Sequence, residues 1–372
     1  MTVTERLISA DDHADIPHER VKAHLASTHH DAYDAGVAAF RASMGATQSV
    51  EANRRWRDQQ GLVTDGPLPT MGDRRRHAAS GRPGHTDPVA RLQDMDTDGV
   101  DASVIFCEVS AFRYLYLIED GWREATRAFN TALAEFASPD PQRLIVNMQI
   151  PIHDIDAAVA EVRWAASVGC KSLQIPVFPS ELGLPDYWDR RYDPLWAAIT
   201  DVGLPITLHI GLNTALEAVA QRDPTPQKGI MVPLVAMTAS EALGHWILAG
   251  VFERFPDLRV VFVEPGLGWV AWWLDIADDF VLRQGYDFPA ITELPSHYFR
   301  RNVHLTFVDE KHAVRHGVET LGIENIMWSS DYPHPVSSWP KSRQIVEEIF
   351  AGEDPVHREL VVSGNAARVW RL

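Results

Sequence analysis

Eight short apolar runs, rich in branched side chains, recur along the chain and limit its fold more than any other feature. They fall at 7–10, 102–107, 144–149, 172–176, 205–210, 259–264, 302–307 and 325–330. Runs of this length between turn formers read as buried strands. Segments with helical signals separate them. Asp87-Pro88 reads as an N-cap followed by proline at the first helical position, opening a helix over 89–98. Apolar residues at helical spacing fill 154–168, 192–202 and 309–321, which stop at Gly169, Gly203 and Gly322. Strand–helix alternation with short turns implies parallel strands joined by right-handed crossovers. Repeated eight times, it predicts one α/β domain over 1–372, a (β/α)8 TIM barrel. A doubly wound sheet would need a glycine-rich phosphate turn after the first strand, and the sequence has neither that turn nor a P-loop.

One stretch breaks the rhythm. Residues 17–84 offer no convincing strand and are polar and basic, with Arg54, Arg55 and Arg57 followed by Arg74, Arg75 and Arg76. They read as an insertion after the first strand, part helical and part irregular. Such an insertion is either a substrate-binding elaboration of the catalytic mouth or a solvated excursion. In the first case Arg54, Arg55 and Arg57 are the candidates to grip a substrate carboxylate. The formal charge of −17 argues against nucleic acid or an anionic membrane as partner, while leaving room for a small anionic substrate. No apolar run approaches the roughly 20 residues that span a bilayer. Two cysteines, Cys107 and Cys170, lie in apolar segments, and the N-terminus has no apolar export core. A reducing cytoplasm is therefore expected, with a homodimer left open.

Catalytic residues of a barrel gather at the C-terminal ends of its strands. The first strand runs into Asp11-Asp12-His13, and Asp11 and His13, two apart, face the same way on an extended chain. The fifth ends in His209 and the eighth leads to Asp331-Tyr332-Pro333-His334. Two carboxylates and two imidazoles at one pole make a mixed nitrogen–oxygen site for one divalent ion: zinc first, with Mn2+ or Fe2+ as alternatives. Each residue alone has a bland reading, as a strand-end histidine or an aspartate before a turn. Their coincidence on three strand ends favours the site. Asp12 and Asp15 are then second-choice ligands, and His304 stays open between an interior histidine and a site residue.

The motifs taken together resemble the amidohydrolase-related family, in the branch that holds aminocarboxymuconate semialdehyde decarboxylase and the resorcylate decarboxylases. Arg91-Leu92-Gln93-Asp94-Met95-Asp96, Gly99-Val100-Asp101 and Gly203-Leu204-Pro205 before His209 carry the resemblance. So do Glu264-Pro265-Gly266-Leu267-Gly268-Trp269, Ser330-Asp331-Tyr332-Pro333-His334 and Gly364-Asn365-Ala366-Ala367-Arg368. The resemblance implies Asp11, His13, His209 and Asp331 as metal ligands. The family's first-strand HxH is DxH here, close to the ExH of resorcylate decarboxylases. Its sixth-strand histidine is replaced by Glu264. The metal-bridging lysine of strand four is not evident, since Lys171 sits at the wrong end, so a mononuclear site is implied.

Glu264 ends an apolar strand, which suits it to acid–base work; its bland role is to brace the 265–268 turn. His334 joins Glu264 and Asp331 as a catalytic candidate, either donating protons or binding a substrate carboxylate. Trp269 opens a helix at the mouth and is a substrate-binding candidate, whereas Trp272 and Trp273 read as helix packing. The function expected is non-oxidative decarboxylation of a small aromatic or unsaturated carboxylic acid. The alternative is hydrolysis of an amide, ester or lactone by metal-bound water.

Overall fold

The computed structural model describes residues 5–43, 55–56, 58–61, 79, 81–107, 111–210, 224–225 and 231–372. Every expected apolar run forms a strand: β1 (Ile8–Ala14), β2 (Ala102–Cys107), β3 (Leu144–Gln149), β4 (Ser172–Gln174), β5 (Ile206–His209), β6 (Val260–Val263), β7 (Val303–Phe307) and β8 (Ile326–Trp328). They make one eight-stranded sheet in sequential order, with each adjacent pair from β1 to β8 parallel. All residues of these strands are buried, as parallel strands with covered faces require. The segment after β8 returns to β1 and closes the barrel. Ser330 N donates to Ser9 Oγ (2.8 Å); Asp331 N donates to the Asp11 carbonyl (3.0 Å) and His13 N to the Tyr332 carbonyl (2.6 Å).

The crossover helices start and stop where local chemistry dictates. Asp87 accepts from Val89 N and Ala90 N ahead of the helix Pro88–Asp98, and Gly99 ends it at φ +75°, where a Cβ would be strained. Asp154 caps Ile155–Ser167 in the same way. The C-terminal helix Asn365–Trp370 plugs the N-terminal end of the barrel. Its Val369 and Trp370 pack with Ile8, Val104, Val261 and Met327, and Trp370 Nε1 donates to Ser172 Oγ at 2.9 Å.

Strand limits differ from expectation mainly at the catalytic end. β1 carries the expected Asp11-Asp12-His13 and ends one residue later at Ala14, and its pairing with β2 absorbs one extra residue between Ser9 and Asp12. Conversely, β6 stops before Glu264 and β8 before Ser329. Within 17–84 the described residues include helices His18–Lys22 and His30–Ser43, with Tyr33 and Val37 of the second buried against the barrel. Arg55 is helical and exposed, whereas Arg54, Arg57 and Arg74 to Arg76 lie outside the described residues. No described helix is long and apolar enough to cross a membrane.

Candidate metal centre and active site

The bulged strand β1 buries Asp11 and His13 completely at the mouth. His13 Nδ1 lies 3.2 Å from the Cys107 carbonyl, and His209 Nδ1 lies 2.6 Å from the Ile210 carbonyl. A carbonyl only accepts, so each Nδ1 carries the proton and each Nε2 presents a lone pair to the interior. Both Nε2 atoms converge on Asp11 Oδ1, at 3.6 Å from His13 and 3.3 Å from His209. Asp331 Oδ1 lies 3.4 Å from His13 Nε2 and 2.8 Å from His334 Nδ1. Donor atoms of Asp11, His13 and His209 all fall within 4.8 Å of one another, as do those of His13, Asp331 and His334, and of Asp11, Glu264 and Asp331.

This donor set fits a divalent cation. Both oxygens of Asp11 and the Nε2 atoms of His13 and His209 are buried and form no hydrogen bond. Orphaned polar atoms in a protein interior cost about 1–3 kcal/mol each, and three carboxylates in one cluster add repulsion. One cation satisfies the lone pairs and neutralises the repulsion together. Lys171, just before β4, bonds Gln142 and the Arg371 carbonyl at the opposite end of the barrel.

Two of the carboxylates reach the cluster through unusual backbone. Glu264 has φ +56° and Asp331 φ +52°. Non-glycine residues in the left-handed region cost about 1–3 kcal/mol each and persist where surrounding structure imposes them. Here Thr306 Oγ1 accepts from Glu264 N (2.9 Å), and the Asp11 carbonyl holds Asp331 N. The turn after each strand therefore throws its carboxylate back over the barrel mouth.

Burial, then the charges of Asp331 and Asp11, push Glu264 well above the usual carboxylate range. Burial also opposes ionisation of Asp331, but the close imidazoles of His13 and His334 overcome it and bring Asp331 down to about 2. His13 is lowered by burial and by the neighbouring His334, which keeps it neutral and ligand-competent. Burial would lower His209 too, yet the neighbouring Asp11 carboxylate, with Glu264 and the Ile210 carbonyl, carries it up to about 9. A cation in the cluster competes with that proton for the same Nε2 lone pair.

Behind the cluster stands a buried polar layer. Asp12 belongs to none of the donor clusters. It accepts from the hydroxyls of Ser9, Ser103 and Ser330 and from Tyr332 N, tying β1, β2 and the loop after β8 together. The Arg91 guanidinium is fully buried, 3.7 Å from Asp12 Oδ2 and 4.1 Å from the Tyr332 ring centre. It donates to the carbonyls of Gly84 and His13. Tyr332 Oη donates to Asp94 (2.5 Å), which also receives both Arg82 Nε and Nη2. Arg91 and Asp94 carry no role in the sequence reading because nothing in a helix pattern reveals that they meet the mouth from behind.

The His334 ring lies against that of His13, with ring centres 3.9 Å apart. Glu264 Oε2 is 4.0 Å from His209 Nε2, and its side chain is 19% exposed. The bracing role weighed for Glu264 belongs to Glu310, whose Oε2 accepts from Leu267 N at 2.9 Å. Trp269 packs partly buried on the core, and its indole donates to the Pro265 carbonyl (2.7 Å). Trp273 is likewise packed, but Trp272 is 62% exposed, so packing does not explain it. Asp15 bonds the His85 carbonyl through its backbone N–H and belongs to none of the donor clusters. His304 lies on β7, paired with Val261 near the N-terminal end of the barrel and away from the cluster.

The sequence model of the amidohydrolase family matches residues 28–372. Gamma-resorcylate decarboxylase of a Rhizobium species is 25% identical over 307 residues, covering 76% of this chain and 86% of that relative. The crystal structure of 5-carboxyvanillate decarboxylase from Sphingomonas paucimobilis superposes with a TM-score of 0.72 at 22% identity, covering 99% of this chain and 100% of that one. A dihydroxybenzoic acid decarboxylase from a Polaromonas species, solved with bound manganese and the inhibitor 2-nitroresorcinol, gives 0.64 at 17%, covering 99% and 98%. With its barrel, its strand-end donors and a family match over nearly the whole length, this chain belongs to the amidohydrolase family.

Proposed function

We propose that this chain is a metal-dependent, non-oxidative decarboxylase of an aromatic carboxylic acid. The observation that carries metal dependence is the convergence of orphaned donors from Asp11, His13 and His209, with Asp331 beside them. The relative with 86% of its length covered is a decarboxylase, which supports the reaction type. Asp11, His13, His209 and Asp331 are the ligands in this reading. Zinc is the ion expected from two imidazoles, while two carboxylates and the manganese of the Polaromonas structure favour manganese. When bound, the ion held by these residues would supply Lewis-acid polarisation of an anionic substrate.

The protein's own part is proton delivery and exclusion of water. Glu264 sits at the mouth next to the ligands without a hydrogen-bonding duty in the turn, and we assign it the transfer of a proton to the ring carbon bearing the carboxylate. The carbon–carbon bond then breaks, its electron pair restores the aromatic ring, and carbon dioxide leaves. Glu264 regains its proton from solvent. His334, held on Asp331, orients that ligand and meets the substrate carboxylate. Arg54, Arg55 and Arg57 are proposed to grip a further anionic group, and Trp269 to flank the ring. The exposed stripe Trp272, Ile276 and Phe280, at helical spacing, supports a homodimer, which a molar mass in solution tests. Two cysteines without a disulfide fit a reducing cytoplasm.

The deciding experiment measures metal content and carbon dioxide release from 2,6-dihydroxybenzoate and 5-carboxyvanillate. About one equivalent of divalent metal, lost in His209→Ala and Asp331→Ala, is expected together with release that a chelator abolishes. Full turnover by metal-free protein overturns the reading. Hydrolysis of esters or lactones without carbon dioxide release assigns Glu264 instead to deprotonating water. In Glu264→Gln the metal should stay while turnover falls about 10²–10⁴-fold, the usual contribution of a general acid. Metal loss in that variant makes Glu264 a ligand.

A further inference from the structure

The pole of the barrel opposite the metal centre holds a cavity of about 240 Å³ whose lining is dominated by arginine. Arg259 precedes β6, Arg300 and Arg301 end the helix before β7, and Arg368 comes from the C-terminal helix. His304 of β7 forms part of the wall, and Glu324 is the one carboxylate among the lining residues described. In a chain of net charge −17, the lining of this cavity sets four guanidiniums against one carboxylate.

Arg301 also lies under the charge of Glu253 and over the Tyr298 ring, whereas the contacts of the other three are mainly to carbonyls. Glu324 is mainly exposed and reaches Arg368 only at 3.9 Å. The guanidiniums are positioned by carbonyls, which hold their geometry without cancelling their charge. Arg259 donates to the Gly203 carbonyl (2.7 Å), Arg300 to that of Thr320 (3.3 Å), Arg301 to that of Phe252 (2.6 Å) and Arg368 to that of Glu324 (2.7 Å). Each guanidinium has five N–H donors, so donors remain on every one. An independent sign comes from His304, which is 7% exposed and whose Nδ1 forms no hydrogen bond. Burial and the charges of Arg368 and Arg259 hold its imidazole far down, at about 3. A buried ring nitrogen without a partner, in a wall of guanidiniums, is left for a polar occupant.

We propose that this cavity is a binding site for a small multivalent oxyanion, inorganic phosphate or a compact phosphate monoester. Guanidinium forks match phosphate oxygens bidentately, and a dianion relieves the mutual repulsion of the arginines. The volume lies below that of sites for drug-sized ligands and suits an ion or a few-atom ester. Because the arginines come from two strand entries, those of β6 and β7, and from the last helix, the anion would clamp the C-terminal helix to the barrel floor. It therefore acts on stability rather than on the reaction at the other pole.

The test is calorimetric titration of the metal-loaded protein with inorganic phosphate, and with glycerol 3-phosphate, against sodium chloride at matched ionic strength. Saturable binding and a raised melting temperature are expected. Arg368→Gln and Arg300→Gln, whose side chains reach the surface and should not disturb folding, should each weaken binding about tenfold or more, the scale of one charge-assisted hydrogen bond. Metal content, measured after each titration, should not change. Tighter binding of either ligand supports the site and identifies its source. Absence of saturable binding beyond chloride overturns the proposal. So does binding that both variants leave untouched, since the phosphate would then sit on the metal at the catalytic pole.

Discussion

Replacing Arg91 by methionine should destabilise the protein by about 3–4 kcal/mol and loosen the metal about tenfold, although Arg91 is not a ligand. The guanidinium is completely buried and is the positive neighbour of Asp12. Removing one member of a buried ion pair costs about 3–5 kcal/mol, because the other charge is left in a medium that disfavours it. Asp12 keeps three hydroxyl donors and the Tyr332 N–H, which places its share at the low end of that range. The carbonyls of Gly84 and His13 also lose their donor, adding to the cost, while methionine fills part of the space. The effect on metal follows from the His13 carbonyl, since a ligand whose backbone anchor is lost is held less well. Burial already lifts Asp12 to about 6 despite Arg91. Without Arg91 it rises further, so the variant's stability should fall as pH rises from about 4 through that higher value. Lysine at this position should not rescue, because a compact ammonium lacks the planar fork whose Nε and Nη2 reach separate carbonyls while its face covers the Tyr332 ring. Urea unfolding and chelator competition measure both effects. Adding Asp12→Asn should recover more than half of the lost stability by removing the stranded charge. A loss below about 1 kcal/mol in Arg91→Met, or no recovery in the double variant, would refute the reasoning.

Asp98 is buried, accepts from Ser342 N and Oγ, and is lifted by burial to about 6. Its charge therefore costs stability as pH rises from about 4 to about 6, up to about 3 kcal/mol in all, and Asp98→Asn should flatten that fall in a pH series of unfolding midpoints. Trp269→Phe should raise the Michaelis constant for an aromatic substrate if the indole flanks the ring. An unchanged constant with a lower melting temperature would leave it only its bond to Pro265. Alanine at Arg54, Arg55 or Arg57 should raise the Michaelis constant for a substrate with a second anionic group, and three unchanged values remove these arginines from binding. Glu310→Gln should leave metal content intact and lower the melting temperature, because the Leu267 N–H keeps a neutral acceptor in place of a carboxylate.

The order of elements followed from periodicity and punctuation alone. Continuous apolar runs of strand length, separated by capped helices, demand parallel strands buried on both faces, and eight such units without a phosphate turn fit a closed barrel better than a doubly wound sheet. Asp11, His13, His209 and Asp331 were legible for the same reason: strand ends define the catalytic pole, so polar residues there stand out. What the sequence could not contain is geometry made between distant segments. The bulge in β1 between Ser9 and Asp12 exists only against β2. The left-handed turns that aim Glu264 and Asp331 are imposed by Thr306 and by the Asp11 carbonyl, each from another strand. Glu310 supplies the brace that local reading offered to Glu264, because only the packed barrel brings the segment after β7 against the turn after β6. Arg91 looks like an ordinary residue of a polar helix, and the fold turns it into the buried counter-charge of Asp12. Local sequence thus determined which residues could face the mouth, whereas register and backbone direction, set by long-range hydrogen bonds, decided which donors meet.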